Sequence, residues 1–85
     1  MSRAWYSYTA GQPIDQVDSY LLILLTPYAT SGRTLRCIYA PADPFSSHPA
    51  AVTQKLLYYI TDGMTSGGPT PKSPVNAKKY VYFYP

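Results

Sequence analysis

The spacing of apolar and polar positions divides the chain into strand-like segments around one helix. Arg3 to Thr9 holds Trp5, Tyr6 and Tyr8, types enriched in sheets, and Gly11-Gln12-Pro13 breaks it. Asp18 to Tyr28 is the second candidate strand, centred on Tyr20-Leu21-Leu22-Ile23-Leu24-Leu25. A continuous apolar run this short, closed by Pro27, predicts a strand covered on both faces. A short buried helix is the competing reading, because Leu is a good helix former. Arg33 to Ala40 then alternates, with Leu35, Cys37 and Tyr39 on one face and Thr34, Arg36 and Ile38 on the other. The turn signal Thr30-Ser31-Gly32 predicts a hairpin between these two strands, and Pro41-Ala42-Asp43-Pro44 ends the second of them.

Ser47 to Asp62 is the predicted helix. Val52, Leu56, Tyr59 and Ile60 form one apolar stripe, with Gln54, Lys55, Tyr58, Thr61 and Asp62 opposite. Ser47 is the expected N-cap, Pro49 falls in the first turn, and Gly63 fits the left-handed residue that ends many helices. Thr65 to Asn76 is rich in Gly, Pro, Ser and Thr and reads as a loop. Lys78 to Tyr84 is the last strand, with Tyr80, Tyr82 and Tyr84 on one face and Val81 and Phe83 on the other. The order β-β-β-α-β predicts a small α+β fold: one amphipathic helix packed on an antiparallel sheet of about four strands. Residues 1–85 are expected to form a single domain.

Composition narrows what such a fold can be. Of the 85 residues, 46% are hydrophobic, 15% aromatic and only 13% charged, the opposite of a disordered chain. A chain of this length buries only about 60% of its unfolded surface, so the core is thin. The single cysteine, Cys37, excludes an internal disulfide, and the single histidine, His48, excludes the usual four-ligand Cys/His zinc site. No metal or cofactor is therefore expected, and extra stability is expected from a subunit or partner interface. The longest apolar run, Leu21 to Leu25, falls far short of the roughly 20 residues a membrane-spanning helix needs. The start, Met1-Ser2-Arg3-Ala4-Trp5-Tyr6, lacks the apolar stretch of a secretory signal. A cytoplasmic setting is the default expectation, and incorporation into a virion or an extracellular assembly stays open.

Several short elements occur in a familiar order: Trp5-Tyr6-Ser7-Tyr8, Ser19-Tyr20, Ile38-Tyr39-Ala40, Tyr59-Ile60 and Lys79-Tyr80-Val81-Tyr82. In this the chain resembles a group of short uncharacterised bacterial proteins, in which a cysteine also lies near the Ile-Tyr-Ala element, as Cys37 does here. The resemblance implies a compact domain. It implies no activity, substrate or functional residue.

Candidate chemistry is sparse. A Cys–His pair needs contact and an orienting group to activate the thiolate, and Cys37 lies inside a strand pattern while His48 precedes Pro49 at the expected helix start. Cys37 is expected to be a core residue and His48 a surface or capping residue. The acids are Asp15, Asp18, Asp43 and Asp62, with no glutamate. Asp15, Asp18 and Asp43 sit in turns, where Asp bonds nearby backbone amides. Gly63, Gly67 and Gly68 lack the spacing of a phosphate-binding loop. No constellation satisfies the requirements of an active site, so an enzyme is not expected.

Surface chemistry is richer. Lys and Arg total 7 against 4 Asp, a net charge of +3. The tyrosines of the last strand have three readings: core, interface, or a platform that stacks ligands. Tyrosine brings large contact area at little rotamer entropy. The leading expectation is a non-enzymatic structural or interaction protein that self-associates or docks on a larger assembly through Trp5, Tyr6, Tyr8, Tyr80, Tyr82 and Tyr84. A phage or cell-surface component and a small accessory subunit both fit. Aromatic strands lie near both chain ends, which fray unless tied down, so each is expected to be held by the other or by another chain, and a Tyr-rich edge is a template for strand addition. The alternative is a monomeric module binding carbohydrate or single-stranded nucleic acid through Arg33, Arg36, Lys78, Lys79, Tyr80 and Tyr82. Nucleic acid is the less favoured partner, because the basic residues are dispersed and no RNA-recognition signature is present.

Overall fold

The computed structural model describes residues 2–24, 27, 32–71 and 79–84. Their strands are β1 (Arg3–Tyr8), β2 (Tyr20–Leu22), β3 (Thr34–Pro41) and β4 (Val81–Tyr84), and the helix α1 is Gln54–Ser66. The strands form one four-stranded antiparallel sheet in the order β2-β1-β3-β4, and α1 packs on one face of it. This is the α+β fold with one helix on an antiparallel sheet that the periodicity predicts.

The order departs from the expected hairpin between the second and third strands. β1 lies between them, pairing Tyr6 with Leu22 on one side and with Ile38 on the other. The expected turn residues Thr30 and Ser31 lie outside the described residues, as do Leu25, Thr26 and Tyr28 of the long strand predicted there. What remains of that strand is short, and it is not covered on both faces: Leu21, Leu22 and Leu24 are all exposed. β2 is an edge strand, and only Tyr20 of its apolar run enters the core. Nor do the two aromatic strands hold each other; β3 lies between β1 and β4 and pairs with both.

The core consists of Tyr6, Tyr20, Leu35, Ile38, Ala40, Val81 and Phe83 from the sheet and Leu56 and Ile60 from α1. In β4 the alternation is as expected, with Val81 and Phe83 buried beneath the helix and Tyr82 and Tyr84 on the opposite face. In β3 it is not. A bulge between Leu35 and Cys37 leaves Arg36 as an extra residue, so that Leu35 pairs with Phe83 but Cys37 pairs with Tyr82. The bulge resets the period: Leu35, Ile38 and Ala40 face the helix, whereas Cys37 and Tyr39 face away.

The helix begins seven residues later than Ser47, at Gln54, with Thr53 as its N-cap: Leu56 N donates to Thr53 Oγ1 at 3.2 Å. Ser47 instead supplies its carbonyl to Leu22 N at 2.8 Å, and Pro49 pairs with Ala42 in an isolated bridge. Both belong to a segment that covers the outer edge of β2. Nor does Gly63 end the helix. It lies within α1, buried against Phe83, and the left-handed terminator is Gly67 at φ +74°, whose amide donates to Gly63 O at 2.7 Å. Part of the predicted loop, residues 72–76, and Lys78 lie outside the described residues. Thr70, fully buried, lies along β4 and exchanges backbone bonds with Val81, so one end of that edge is also covered.

Candidate functional site

With α1 on one face, the sheet leaves the other face without a covering element among the described residues. Its side chains follow from the register. β1 contributes Arg3, Trp5 and Ser7, β3 contributes Cys37 and Tyr39, β4 contributes Tyr82 and Tyr84, and Leu21 of β2 lies beside Ser7.

The aromatic rings of this face are organised around Trp5. Its ring stacks on Tyr82 with centroids 4.6 Å apart and planes 18° from parallel, and meets Tyr39 at 5.1 Å in a tilted arrangement. β3 runs between the strands that carry Trp5 and Tyr82. Strands two places apart are separated by roughly 9.5 Å, so the two rings reach this distance only by leaning toward each other over β3. On the same face Cys37 lies between Ser7 and Tyr82 in the register and is 1% exposed. Burial pushes the Cys37 thiol up to about 11, against the smaller opposing effects of Arg36 and the Tyr82 backbone. A buried thiol held in its neutral form has the properties of a packing residue rather than of a nucleophile.

The rim is basic. Arg3 donates from Nη1 to Tyr39 O at 3.0 Å and places its guanidinium 5.3 Å from the centroid of Tyr80. Arg36, displaced by the bulge, lies 5.8 Å from the centroid of Tyr84. No aspartate lies in any strand: Asp15 and Asp18 occupy the β1–β2 connection, Asp43 follows β3, and Asp62 is on α1. Among the described residues, the strands of the open face are therefore aromatic in the middle, cationic at the margins and without an acidic side chain.

Of the residues expected to form an interface, Trp5, Tyr82 and Tyr84 share this face, and Tyr80 adjoins it through Tyr39, with centroids 5.9 Å apart. Tyr6 and Tyr8 do not. Tyr6 is a core residue, and Tyr8 packs on Tyr20 on the helix side while its hydroxyl bonds Gln12 O. They alternate with Trp5 along the same strand, so period two sends them to the other face. The set expected for a ligand platform is scattered. Arg33 lies beside Gly67 at the end of α1, Lys79 donates to Pro71 O, and Lys78 lies outside the described residues. Tyr39 was missed as a site residue, because the bulge that turns it outward leaves no mark on the hydrophobic pattern.

His48 is a structural residue of the β2 edge. Its Nδ1 lies 2.7 Å from Tyr20 O and its Nε2 4.0 Å from Asp18 Oδ1. It bonds β2, whereas Cys37 is on β3, with β1 between the two strands. Among the described residues no group of three potential metal ligands comes together, and no helix is long and apolar enough to cross a membrane. Comparison with protein-family models, with curated proteins and with solved structures found no match to this chain.

Proposed function

We propose that this protein is a non-enzymatic interaction module that docks onto protein subunits, its own copies or those of a larger assembly, through the open face of its sheet. The observation that carries this reading is the aromatic group Trp5, Tyr39 and Tyr82, half-buried on a face that no element of the described chain covers. Aromatic residues with polar tips, ringed by arginine, are the composition of interface centres. Docking by the face is favoured over strand addition at an edge. The segment carrying Ser47 and Pro49 bonds the outer edge of β2, and Thr70 bonds that of β4.

Carbohydrate or single-stranded nucleic acid is the second reading, favoured by Arg3 and Arg36 at the margins of the same face. It is weakened by the stack itself, because Trp5 and Tyr82 each use one ring face on the other. A stacking platform needs those faces free for bases.

Light scattering on a sizing column in near-physiological salt separates the readings. Docking between copies predicts a multimer that persists when salt is raised and that Tyr84→Ala and Leu21→Ala, both exposed residues, shift toward monomer. A 9.4 kDa monomer that binds an oligonucleotide with steeply salt-dependent affinity would overturn it.

A further inference from the structure

A separate feature lies at the corner where the start of α1 meets β1 and the beginning of β4. There Arg3, Thr53, Lys55, Leu56, Tyr59 and Tyr80 line a cavity of about 70 Å³. Its aromatic wall is the pair Tyr59 and Tyr80, whose rings are 3° from parallel at a centroid distance of 6.1 Å. Each ring carries a cation, Arg3 at 5.3 Å from the centre of Tyr80 and Lys55 at 5.9 Å from that of Tyr59. Neither cation has a carboxylate within ion-pair distance among the described residues, where the one such contact joins His48 and Asp18.

The helix adds to this positive charge. Thr53 caps α1 at the cavity wall, and the leading amides of a helix point outward with partial positive charge. Acidic side chains are favoured in that first turn, yet α1 has none there and places Lys55 at its second position. The arrangement works against the stability of the free protein: two cations and a helix start converge with no carboxylate among the described residues to neutralise them. A local rule broken without structural compensation is expected where a ligand supplies the compensation.

We infer that this corner binds the phosphate group of a small phosphate ester. One water needs about 10–15 Å³ on this measure, so the cavity holds several waters and has room for a phosphate group. Arg3 offers the guanidinium donors that it does not spend on Tyr39 O, Lys55 a point charge, and α1 the leading amides ahead of Leu56, whose own amide is held by Thr53 Oγ1. Together they match the two negative charges of a phosphate monoester better than the single charge of a carboxylate. The parallel tyrosines wall the cavity where the organic part of the ester emerges. The inference does not depend on the docking reading, and the two are tested by different measurements.

The test is a titration of the folded protein followed by amide chemical shifts at low salt. The probes are inorganic phosphate and phenyl phosphate, with acetate as the carboxylate control. Saturable shifts at Lys55 and Leu56 are expected with phenyl phosphate, weaker ones with inorganic phosphate, and only linear drift with acetate. Arg3→Gln is expected to weaken phenyl phosphate binding about tenfold and Lys55→Gln several-fold. Both side chains are exposed, and Lys55 makes no hydrogen bond to another described side chain, so Lys55→Gln reports on the site with the fold retained. Binding of inorganic phosphate equal to that of phenyl phosphate would show a site for the free ion and overturn the assignment of an ester. The absence of saturation with either phosphate, acetate binding as tight as theirs, or affinity unchanged in both variants would overturn the site itself.

Discussion

Gly63 lies directly against the ring of Phe83: a Cβ at position 63 would overlap Phe83 Cε2 and Cζ. This contact lets α1 approach β4 closely and explains a glycine in the middle of a helix. Gly→Ala at an ordinary exposed helix position stabilises by up to about 1 kcal/mol. Here the sign reverses. Gly63→Ala is expected to destabilise by about 1–3 kcal/mol through overpacking. Urea unfolding would show a lower midpoint at an unchanged slope. The double variant Gly63→Ala/Phe83→Leu is expected to recover part of the loss, which strict additivity would contradict.

The start of α1 yields a paired prediction. Thr53→Ala is expected to cost about 1 kcal/mol, the usual worth of an N-cap side chain. Ser47→Ala is expected to change stability by less than about 0.5 kcal/mol, because Ser47 serves β2 through its backbone carbonyl. Thermal melts of the two variants compare them directly; equal losses would contradict the boundary at Gln54.

Cys37 makes stability depend on alkaline pH. Its folded thiol is pushed up from 9.0 to about 11, mainly by burial. The unfolded chain therefore releases this proton first as pH rises. The stabilisation is fully present below pH 9 and is lost as pH rises from there through about 11. The full swing is about 3 kcal/mol at most. Tyr20, also raised by burial, adds a loss at still higher pH. Unfolding free energies of the wild type and of Cys37→Ala are expected to converge on alkaline titration, the wild type losing its advantage across this window.

Tyr82, the register partner of Cys37, and Trp5 stacked on it are expected to shield that thiol. Trp5→Ala and Tyr82→Ala are each expected to raise the rate of Cys37 modification by an aromatic disulfide reagent at least about tenfold, whereas Tyr58→Ala, an exposed residue on α1, is expected to leave it unchanged. Equal rates in all three variants would mean that the stack does not cover Cys37.

β1, β4 and the fold class were legible because period two and composition act locally. Tyr82 and Tyr84 alternate with Val81 and Phe83, and one face of that strand had to enter the core; Tyr80, expected to share the tyrosine face, precedes the strand and stacks on Tyr59 of α1. The helix was legible as an element but misplaced at both ends. Ser47, Pro49 and Gly63 resemble start and stop signals, yet tertiary contacts claim them: β2 takes Ser47, Ala42 takes Pro49, and Phe83 requires Gly63. The true signals, Thr53 and Gly67, follow the same chemistry one step further along. The sheet order left no local trace, because the partner of an edge strand is chosen by the whole fold. The share of the open face that β3 supplies was hidden for a similar reason: the bulge at Arg36 reverses which residues of β3 face the helix, and a two-residue period cannot announce its own interruption.

The order β2-β1-β3-β4 also determines when the docking face comes into being. β1 leaves the ribosome before the other described strands, but it lies inside the sheet and needs β3, and Tyr82 arrives only with β4. Such sequence-distant pairings close late and slowly in folding. Trp5 thus meets Tyr82 only after β4 has been made, so a nascent chain that stops short of β4 does not present the finished surface to a partner.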